Sequence, residues 1–164
     1  MSQPATAERR PRPDDGPLRH MTLGAVAMVL AQAGLGMGVN LYVAIPTDHP
    51  GASPSDYFSG SARSIWWAIN HGGGVLALHA VLGVALVFMS VSVAMSAARS
   101  GRRAVAIWSG LGLLFVLGAG FNGAAFLDFN ESLSSLLMAL FAFAAAGCYA
   151  VATFVLASPA RATE

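Results

Sequence analysis

Apolar residues fill four long stretches of this 164-residue chain, and none of these stretches contains Asp, Glu, Lys or Arg. The stretches span residues 21–45, 75–98, 104–127 and 133–157. At a helical rise of about 1.5 Å per residue, a run of about 24 residues reaches about 36 Å, more than the hydrocarbon thickness of about 30 Å in a typical bilayer. The pattern predicts an all-α membrane protein, a four-helix transmembrane bundle within residues 21–157.

The composition excludes an ordinary soluble domain. Charged residues make up 10% of the chain, whereas about a quarter of the residues of a soluble domain are charged. Residues 1–20 combine several prolines with charges, and this composition predicts a disordered cytoplasmic tail. Residues 158–164 form a second short tail. The first apolar stretch is far longer than the h-region of about 7–15 residues in a signal peptide, so we expect it to remain as a span.

Arginine placement predicts the orientation. All nine basic residues are Arg, and eight of them fall on one side of the predicted spans, at positions 9, 10, 12, 19, 99, 102, 103 and 161. Arg63 alone lies on the other side. Basic residues near span ends are retained in the cytoplasm, so both termini and the second connection are predicted to be cytoplasmic. The use of Arg without Lys, with abundant Ala and Gly, is typical of a GC-rich bacterial genome, and we expect a bacterial plasma membrane.

The first outer connection, residues 46–74, predicts a short interfacial helix. Ser53 is the expected N-cap, followed by Pro54 at the first helical position. Trp66 and Trp67 belong to an apolar pattern at helical spacing, and indole rings favour headgroup depth. Glycines 72–74 would then bend the chain into the second span. The alternative is a second span that extends outwards from about Ser61 as one helix.

Three polar side chains are predicted to share one level near the outer ends of the spans. Helix arithmetic places Asn40, His79 and Asn122 about 6–8 Å below the outer boundary. Ser135 falls near the same level, and His71 lies above it. Polar groups in hydrocarbon need partners, so we expect these side chains to face the bundle interior as one polar layer.

Two interpretations of this layer remain open. In the first, the side chains form hydrogen bonds between helices and fix their register, each bond contributing about 0.6 kcal/mol or somewhat more. In the second, they line a pocket for a lipid or a quinone-like amphiphile that opens to the outer leaflet. His49 is interpreted as a solvated loop residue outside either arrangement.

A six-residue pattern occurs twice and raises the possibility of an internal repeat. Residues 35–40 and 117–122 share the sequence L-G-x-G-x-N near the outer ends of the first and third spans. Spans one and three run in the same direction, so a duplicated helix pair would be related by an axis along the membrane normal. Spans two and four share no such identity, and duplication and chance are equally supported.

The paired glycines together with an intramembrane histidine resemble the four-helix cores of b-type cytochromes. The resemblance covers Gly36, Gly38, Gly118, Gly120 and His79. It implies haem b with His79 as an axial ligand, which would make the protein an electron carrier. The chain departs from that pattern because its fourth span contains no His.

The preferred functional prediction is a non-catalytic membrane protein without a cofactor or metal site. The chain has no H-E-x-x-H, G-x-S-x-G or phosphate-loop motif, and it has no folded basic surface for nucleic acid. Stripes of small residues, such as Gly34-x-x-x-Gly38, permit close helix packing with a membrane-protein partner or a second copy. In overall style the chain resembles the small multi-pass membrane proteins of actinobacteria, a resemblance that carries no functional residues. We expect an accessory or interaction subunit in the lipid bilayer.

Overall fold

The computed structural model describes residues 15–158 and contains five helices over that range, with no strand. They are α1 (Gly16–Tyr42), α2 (Tyr57–His71), α3 (Gly73–Arg99), α4 (Arg103–Phe129) and α5 (Ser132–Ala157). Four of them, α1, α3, α4 and α5, are 26 or 27 residues long and apolar enough to cross a membrane. The prediction of an all-α bundle with four transmembrane helices is confirmed. The chain is an integral multi-pass membrane protein.

The four long helices form a closed ring in which every neighbour is antiparallel. Contacts join α1 to α3, α3 to α4, α4 to α5, and α5 back to α1, while α2 packs on α3 and α4. This order follows from the connections, because Gly72 alone separates α2 from α3 and two residues separate α4 from α5. Connections this short force successive helices to lie side by side.

The two ends of the bundle differ in chemistry. Helices α1 and α4 begin at one end, and α3 and α5 finish there. We call this the arginine end, because it carries Arg19, Arg99, Arg102 and Arg103. The opposite end carries α2 and is called the α2 end.

The N-terminal helix is longer than predicted. α1 begins at Gly16 with a proline in its first turn, a position where the missing N–H of proline has no intrahelical partner to lose. The predicted disorder of residues 1–20 is therefore wrong for residues 16–20. The rest of that prediction, and most of the tail predicted at 158–164, falls on residues 1–14 and 159–164, which lie outside the described residues.

Helix α2 is separate from α3, as the first of the two interpretations predicted, but it begins later. Asp56 is its N-cap, and the Asp56 side chain accepts a hydrogen bond from the Ser59 amide at 2.8 Å. Ser53, the predicted N-cap, instead lies in the preceding loop with a φ of 47°. Gly73 has a φ of +76°, which an L side chain rarely adopts. A single helix running through from Ser61 is therefore wrong.

Small residues where the helices touch allow the bundle to pack closely around one large aromatic side chain, that of Tyr149. Tyr149 is fully buried at the middle of the bundle, within a cluster that also contains Ala25, Val29, Leu86, Val93, Val116 and Ala145. A Cβ on Gly112 of α4 would lie 2.7 Å from two atoms of that ring. The tight contact of α4 with α5 thus depends on the absence of a side chain at residue 112.

Arg102 ties three helix ends together at the arginine end. Its guanidinium pairs with the Asp15 carboxylate at 2.5 Å and donates to the Val155 carbonyl at 2.6 Å. Asp15 is the N-cap of α1, Arg102 precedes α4, and Val155 lies in the last turn of α5. The cation at the C-terminal turn of α5 also complements the helix dipole.

Gly112→Ala is expected to lower the free energy of unfolding by about 1–3 kcal/mol, because the added methyl meets a ring that cannot move within a packed core. Gly110→Ala is the matched control, since a Cβ at Gly110 meets no atom within 4 Å. Equilibrium unfolding in detergent micelles compares the two. Equal stability of both variants would contradict the packing described for Tyr149.

Candidate functional site

The structure distributes the predicted site residues among four places. Asn40 and Ser135 line one cavity at the α2 end. His79 lies against α1, and Asn122 bonds within its own helix. His71 lines a second groove on the surface of α2. The five side chains therefore do not form one continuous layer.

Asn40 lies closer to the end of its helix than the sequence predicted. The prediction counted helical residues back from residue 45, whereas α1 ends at Tyr42. At about 1.5 Å per residue, Asn40 is about 3 Å from the end of its helix, whereas His79 is about 9 Å inside α3. Asn40 is exposed and lies close to the end of α1.

His79 finds its partner on α1, in the side chain of Gln32. The Gln32 Nε2 lies 3.0 Å from the His79 carbonyl oxygen and 3.3 Å from the His79 Nε2. A carbonyl only accepts, so the Gln32 amide nitrogen is the donor to it. The second Gln32 proton then points to the imidazole Nε2, which assigns the ring proton to Nδ1. This pair fixes the register of α1 against α3.

A glycine opposite each side chain makes room for the pair. A Cβ on Gly36 would lie 3.0 Å from the His79 Cε1, and a Cβ on Gly83 would lie 3.0 Å from the Gln32 Nε2. Gly36 follows Gln32 by four residues, and Gly83 follows His79 by four residues, so each helix presents its polar side chain and its glycine on one face. Antiparallel packing brings each polar residue onto the glycine of the other helix.

The neighbours of His79 limit how it could serve as an axial haem ligand. The Nε2 of His79 is within hydrogen-bond distance of Gln32, and its ring edge packs against the α1 backbone at Gly36. An iron at Nε2 would have to displace Gln32, whereas Nδ1 has no hydrogen-bond partner within the described part of the chain. The paired glycines that carried the cytochrome resemblance have other neighbours: Gly36 faces His79, Gly38 faces Val75 and Gly118 faces Phe141.

Asn122 does not join two helices. Its Nδ2 donates to the carbonyl of Gly118, one turn earlier on α4, at 2.8 Å. An amide satisfied within its own helix costs little in hydrocarbon, because the donor is paired without a neighbouring helix. The interpretation that the polar side chains form hydrogen bonds between helices therefore agrees with the contacts of His79, although its partner is Gln32. It does not agree with the contact of Asn122.

A cavity of about 450 Å³ opens between the α2-end termini of α1, α4 and α5. Asn40, Asn130, Ser132 and Ser135 supply its polar groups. Its apolar wall is formed by Val39, Val43, Ala44, Ile45 and Phe126. None of these nine lining side chains is ionisable, so the cavity presents neutral hydrogen-bonding groups beside an apolar wall.

The loop that joins α1 to α2 docks on the end of α4, and His49 is its anchor. The His49 ring is 6% exposed, donates from Nε2 to the Leu127 carbonyl at 2.9 Å, and stacks on Trp67 with ring centroids 4.5 Å apart. The prediction that His49 is a solvated loop residue is therefore wrong. The carbonyls in the last turn of a helix lack intrahelical partners, and His49 satisfies one of them.

Three further hydrogen bonds complete this docking. The Ser53 amide donates to the Asp128 carbonyl at 2.9 Å, and the Ser61 hydroxyl donates to the Asp128 carboxylate at 2.7 Å. The Tyr57 hydroxyl donates to the Phe121 carbonyl at 2.7 Å. Asp128 is only 3% exposed. These bonds hold the loop and the start of α2 in a defined position over α4.

Sequence reasoning missed Gln32 and His49, and each had a recognisable signal. Gln32 is a polar residue in the first apolar stretch with glycine four residues later, the same spacing as His79 and Gly83. His49 precedes Pro50 and Gly51, and a tight turn at that point returns the loop towards α2. Gly51 has a φ of +103°, and a Cβ there would lie 2.6 Å from the Gly60 carbonyl oxygen.

Comparison of the chain with protein-family models, with curated proteins and with solved structures finds no match.

Gln32→Leu is expected to lower the free energy of unfolding by about 0.6–2 kcal/mol, because it removes the interhelical donor of His79 while keeping side-chain bulk. Asn122→Leu is the matched control and should have a smaller effect, since Asn122 bonds only within α4. Unfolding of both variants in the same detergent gives the comparison. A larger loss in the Asn122 variant would contradict the assignment of the interhelical bond to Gln32.

The start of α2 is expected to loosen in acid. The hydrogen bond from the Ser59 amide lowers the pKa of Asp56 below its ordinary value of 3.8, and the nearby Arg63 charge contributes in the same direction. A lowered pKa in the folded state stabilises the helix at neutral pH, and this contribution is lost as the pH falls below 3.8 and through the folded-state pKa. Hydrogen-exchange protection of the first turn of α2 should fall over that range.

Asp56→Asn provides the control, because asparagine keeps an N-cap acceptor that does not titrate. Its α2 protection should not change across the same acidic range. A wild-type helix whose protection is equally insensitive to acid would contradict the role of the Asp56 carboxylate.

Proposed function

We propose that this chain is a non-catalytic accessory or interaction subunit of a bacterial plasma membrane that holds an amphiphile in the cavity at the α2 end. The observation that carries the proposal is the composition of that cavity. Four uncharged polar side chains, Asn40, Asn130, Ser132 and Ser135, lie beside an apolar wall. Such a surface suits a molecule with a hydrogen-bonding headgroup and an apolar tail.

The chemistry of the lining favours a neutral headgroup. Amide groups both donate and accept, and serine hydroxyls do the same. A carbonyl or hydroxyl headgroup, as in a quinone-like molecule or a lipid with a polyol headgroup, would pair with them without leaving a charge unpaired. A charged headgroup would lack a partner among the lining side chains. Phe126 and Val43 would contact the first part of the tail.

The distribution of charge supports an orientation with both termini cytoplasmic. Arg19, Arg99 and Arg103 are exposed at the arginine end, and Arg63 is the sole arginine that the structure describes at the α2 end. Positive charge beside the span ends favours retention in the cytoplasm. In this orientation, α2 and the cavity face the outer leaflet.

Glycines on the outer surface of the bundle support an interaction role. Gly34, Gly110, Gly120 and Gly147 lie on α1, α4 and α5, and a Cβ at any of them would meet nothing within 4 Å. Other small residues of the predicted stripes are used inside the bundle, such as Gly123, which faces Met138. Exposed glycines on a transmembrane helix allow the backbone of another helix to approach closely.

The amphiphile is tested by thermal unfolding of the purified chain in detergent, with a short-chain quinone, a diacylglycerol and a glycolipid as probes. A ligand at about one hundred times its dissociation constant stabilises the folded state by about 2.7 kcal/mol. We expect at least one probe to raise the Tm of the wild type. Ser135→Phe should abolish this shift, because the ring fills the cavity.

Ser92→Phe is the matched control, because Ser92 is exposed on α3 and is not a cavity residue. It should keep the full ligand-induced shift. A shift that survives Ser135→Phe, or no shift with any of the three probes, would contradict the proposed binding site.

A further inference from the structure

A second recess lies on the outer surface of α2, apart from the cavity discussed above. It is a groove of about 310 Å³, lined by Pro50, Ala62, Arg63, Trp66, Trp67 and His71. Residues 63, 67 and 71 follow one another at four-residue spacing, as do residues 62 and 66. The groove therefore runs along one face of α2 between two adjacent ridges of side chains.

One wall of this groove, Trp67, is held in place by the packing beneath α2. The Trp67 indole stacks on His49 with an interplanar angle of 17°, and His49 in turn bonds to the Leu127 carbonyl of α4. On the opposite face of the helix, Ser64 and Ala68 are fully buried. The Trp67 side chain, fixed in this way, loses little conformational entropy when a ligand binds.

The charge in the groove is positive, although the α2 end as a whole is acidic. Arg63 and His71 line it, and no carboxylate does. Arg63 forms no ion pair within residues 15–158, where the one ion pair joins Arg102 to Asp15. Among the carboxylates at this end, Asp56 accepts a hydrogen bond from Ser59 and interacts with the Arg63 charge at longer range, and Asp128 is bonded to Ser61. The Arg63 guanidinium is exposed and has no ion pair at contact distance among residues 15–158, so an anion can approach it.

The apolar part of the groove indicates that this anion belongs to a lipid. Trp66 is 68% exposed and Phe58, one residue after the start of α2, is 71% exposed. Exposed indole and phenyl rings beside a transmembrane bundle are typical of the membrane–water interface. A guanidinium at that depth meets the phosphate groups of the surrounding lipids and matches their geometry with two parallel hydrogen bonds.

We propose that this groove binds the headgroup phosphate of a phospholipid, with the Arg63 guanidinium on the phosphate and Trp66 against the glycerol and the first part of the acyl chains. This site is independent of the neutral cavity between α1, α4 and α5. It gives α2 a specific function, because bound lipid would anchor the helix at the membrane surface.

Native mass spectrometry of the delipidated chain in detergent tests the proposal, with dioleoyl phosphatidylglycerol and dioleoylglycerol as probes that differ in the phosphate headgroup. We expect the wild type to retain one tightly bound phosphatidylglycerol. Arg63→Gln should weaken this binding at least fivefold. Arg99→Gln, which removes an exposed arginine at the arginine end, should bind as the wild type does.

Further measurements separate binding through the phosphate headgroup from binding of the apolar part of the lipid, of free phosphate, or of a ligand in the neutral cavity. Dioleoylglycerol should bind no better to the wild type than to Arg63→Gln, and millimolar inorganic phosphate should not displace the phospholipid. Ser135→Phe should leave phosphatidylglycerol binding unchanged, which distinguishes failure here from failure of the neutral cavity. Equal binding of phosphatidylglycerol to the wild type and Arg63→Gln, or its displacement by free phosphate, would overturn the proposal. If Arg63→Gln does not fold, Arg63→Ala must show the loss, with Arg99→Ala as its control.

Discussion

The docking of residues 43–57 on the C-terminal part of α4 determines how the α2 end of the molecule is arranged. A helix that ends at a membrane surface leaves carbonyl groups without intrahelical partners. Here the Leu127 and Asp128 carbonyls, in the last turn of α4, accept hydrogen bonds from His49 and Ser53. The Phe121 carbonyl, further inside α4, accepts an additional hydrogen bond from Tyr57. The same contacts place Trp67 and its groove on one side of the bundle. They place the loop after α1 beside the cavity on the other side of the bundle. Both proposed lipid sites therefore depend on how this loop meets α4.

Within the bundle, the packing depends on pairs formed by a glycine and a large or polar side chain from a neighbouring helix. Gly112 accommodates Tyr149, and Gly36 accommodates His79. Lipid tails are as apolar as leucine, so burial of apolar surface gives little drive for helices to associate in a membrane. Close backbone approach and hydrogen bonds between helices must supply that drive. The Gln32–His79 pair provides both, since each of its side chains lies over a glycine of the other helix.

Hydropathy alone was enough to predict the four spans, because a bilayer requires about 20 apolar residues in each crossing helix. The separate α2 also followed from local signals, namely its tryptophans and the glycines after it. The pairing of His79 with Gln32 could not be predicted in the same way, because it depends on how two helices are rotated against each other. The burial of His49 depends on a contact with Leu127, 78 residues away in sequence. The end of α1 lies three residues earlier than predicted, which places Asn40 nearer the end of its helix.

The central claim is that the α2 end, with its neutral cavity and its phosphate groove, faces away from the cytoplasm. Cysteine labelling tests this most directly, starting from a Cys148→Ala chain, since Cys148 is the single native cysteine. Ser55→Cys and Ala104→Cys then report on the two ends, because both residues are exposed. A membrane-impermeant maleimide should label Ser55→Cys in intact cells and Ala104→Cys only after the cells are permeabilised. The opposite pattern would contradict the orientation and the assignment of both sites to the outer leaflet.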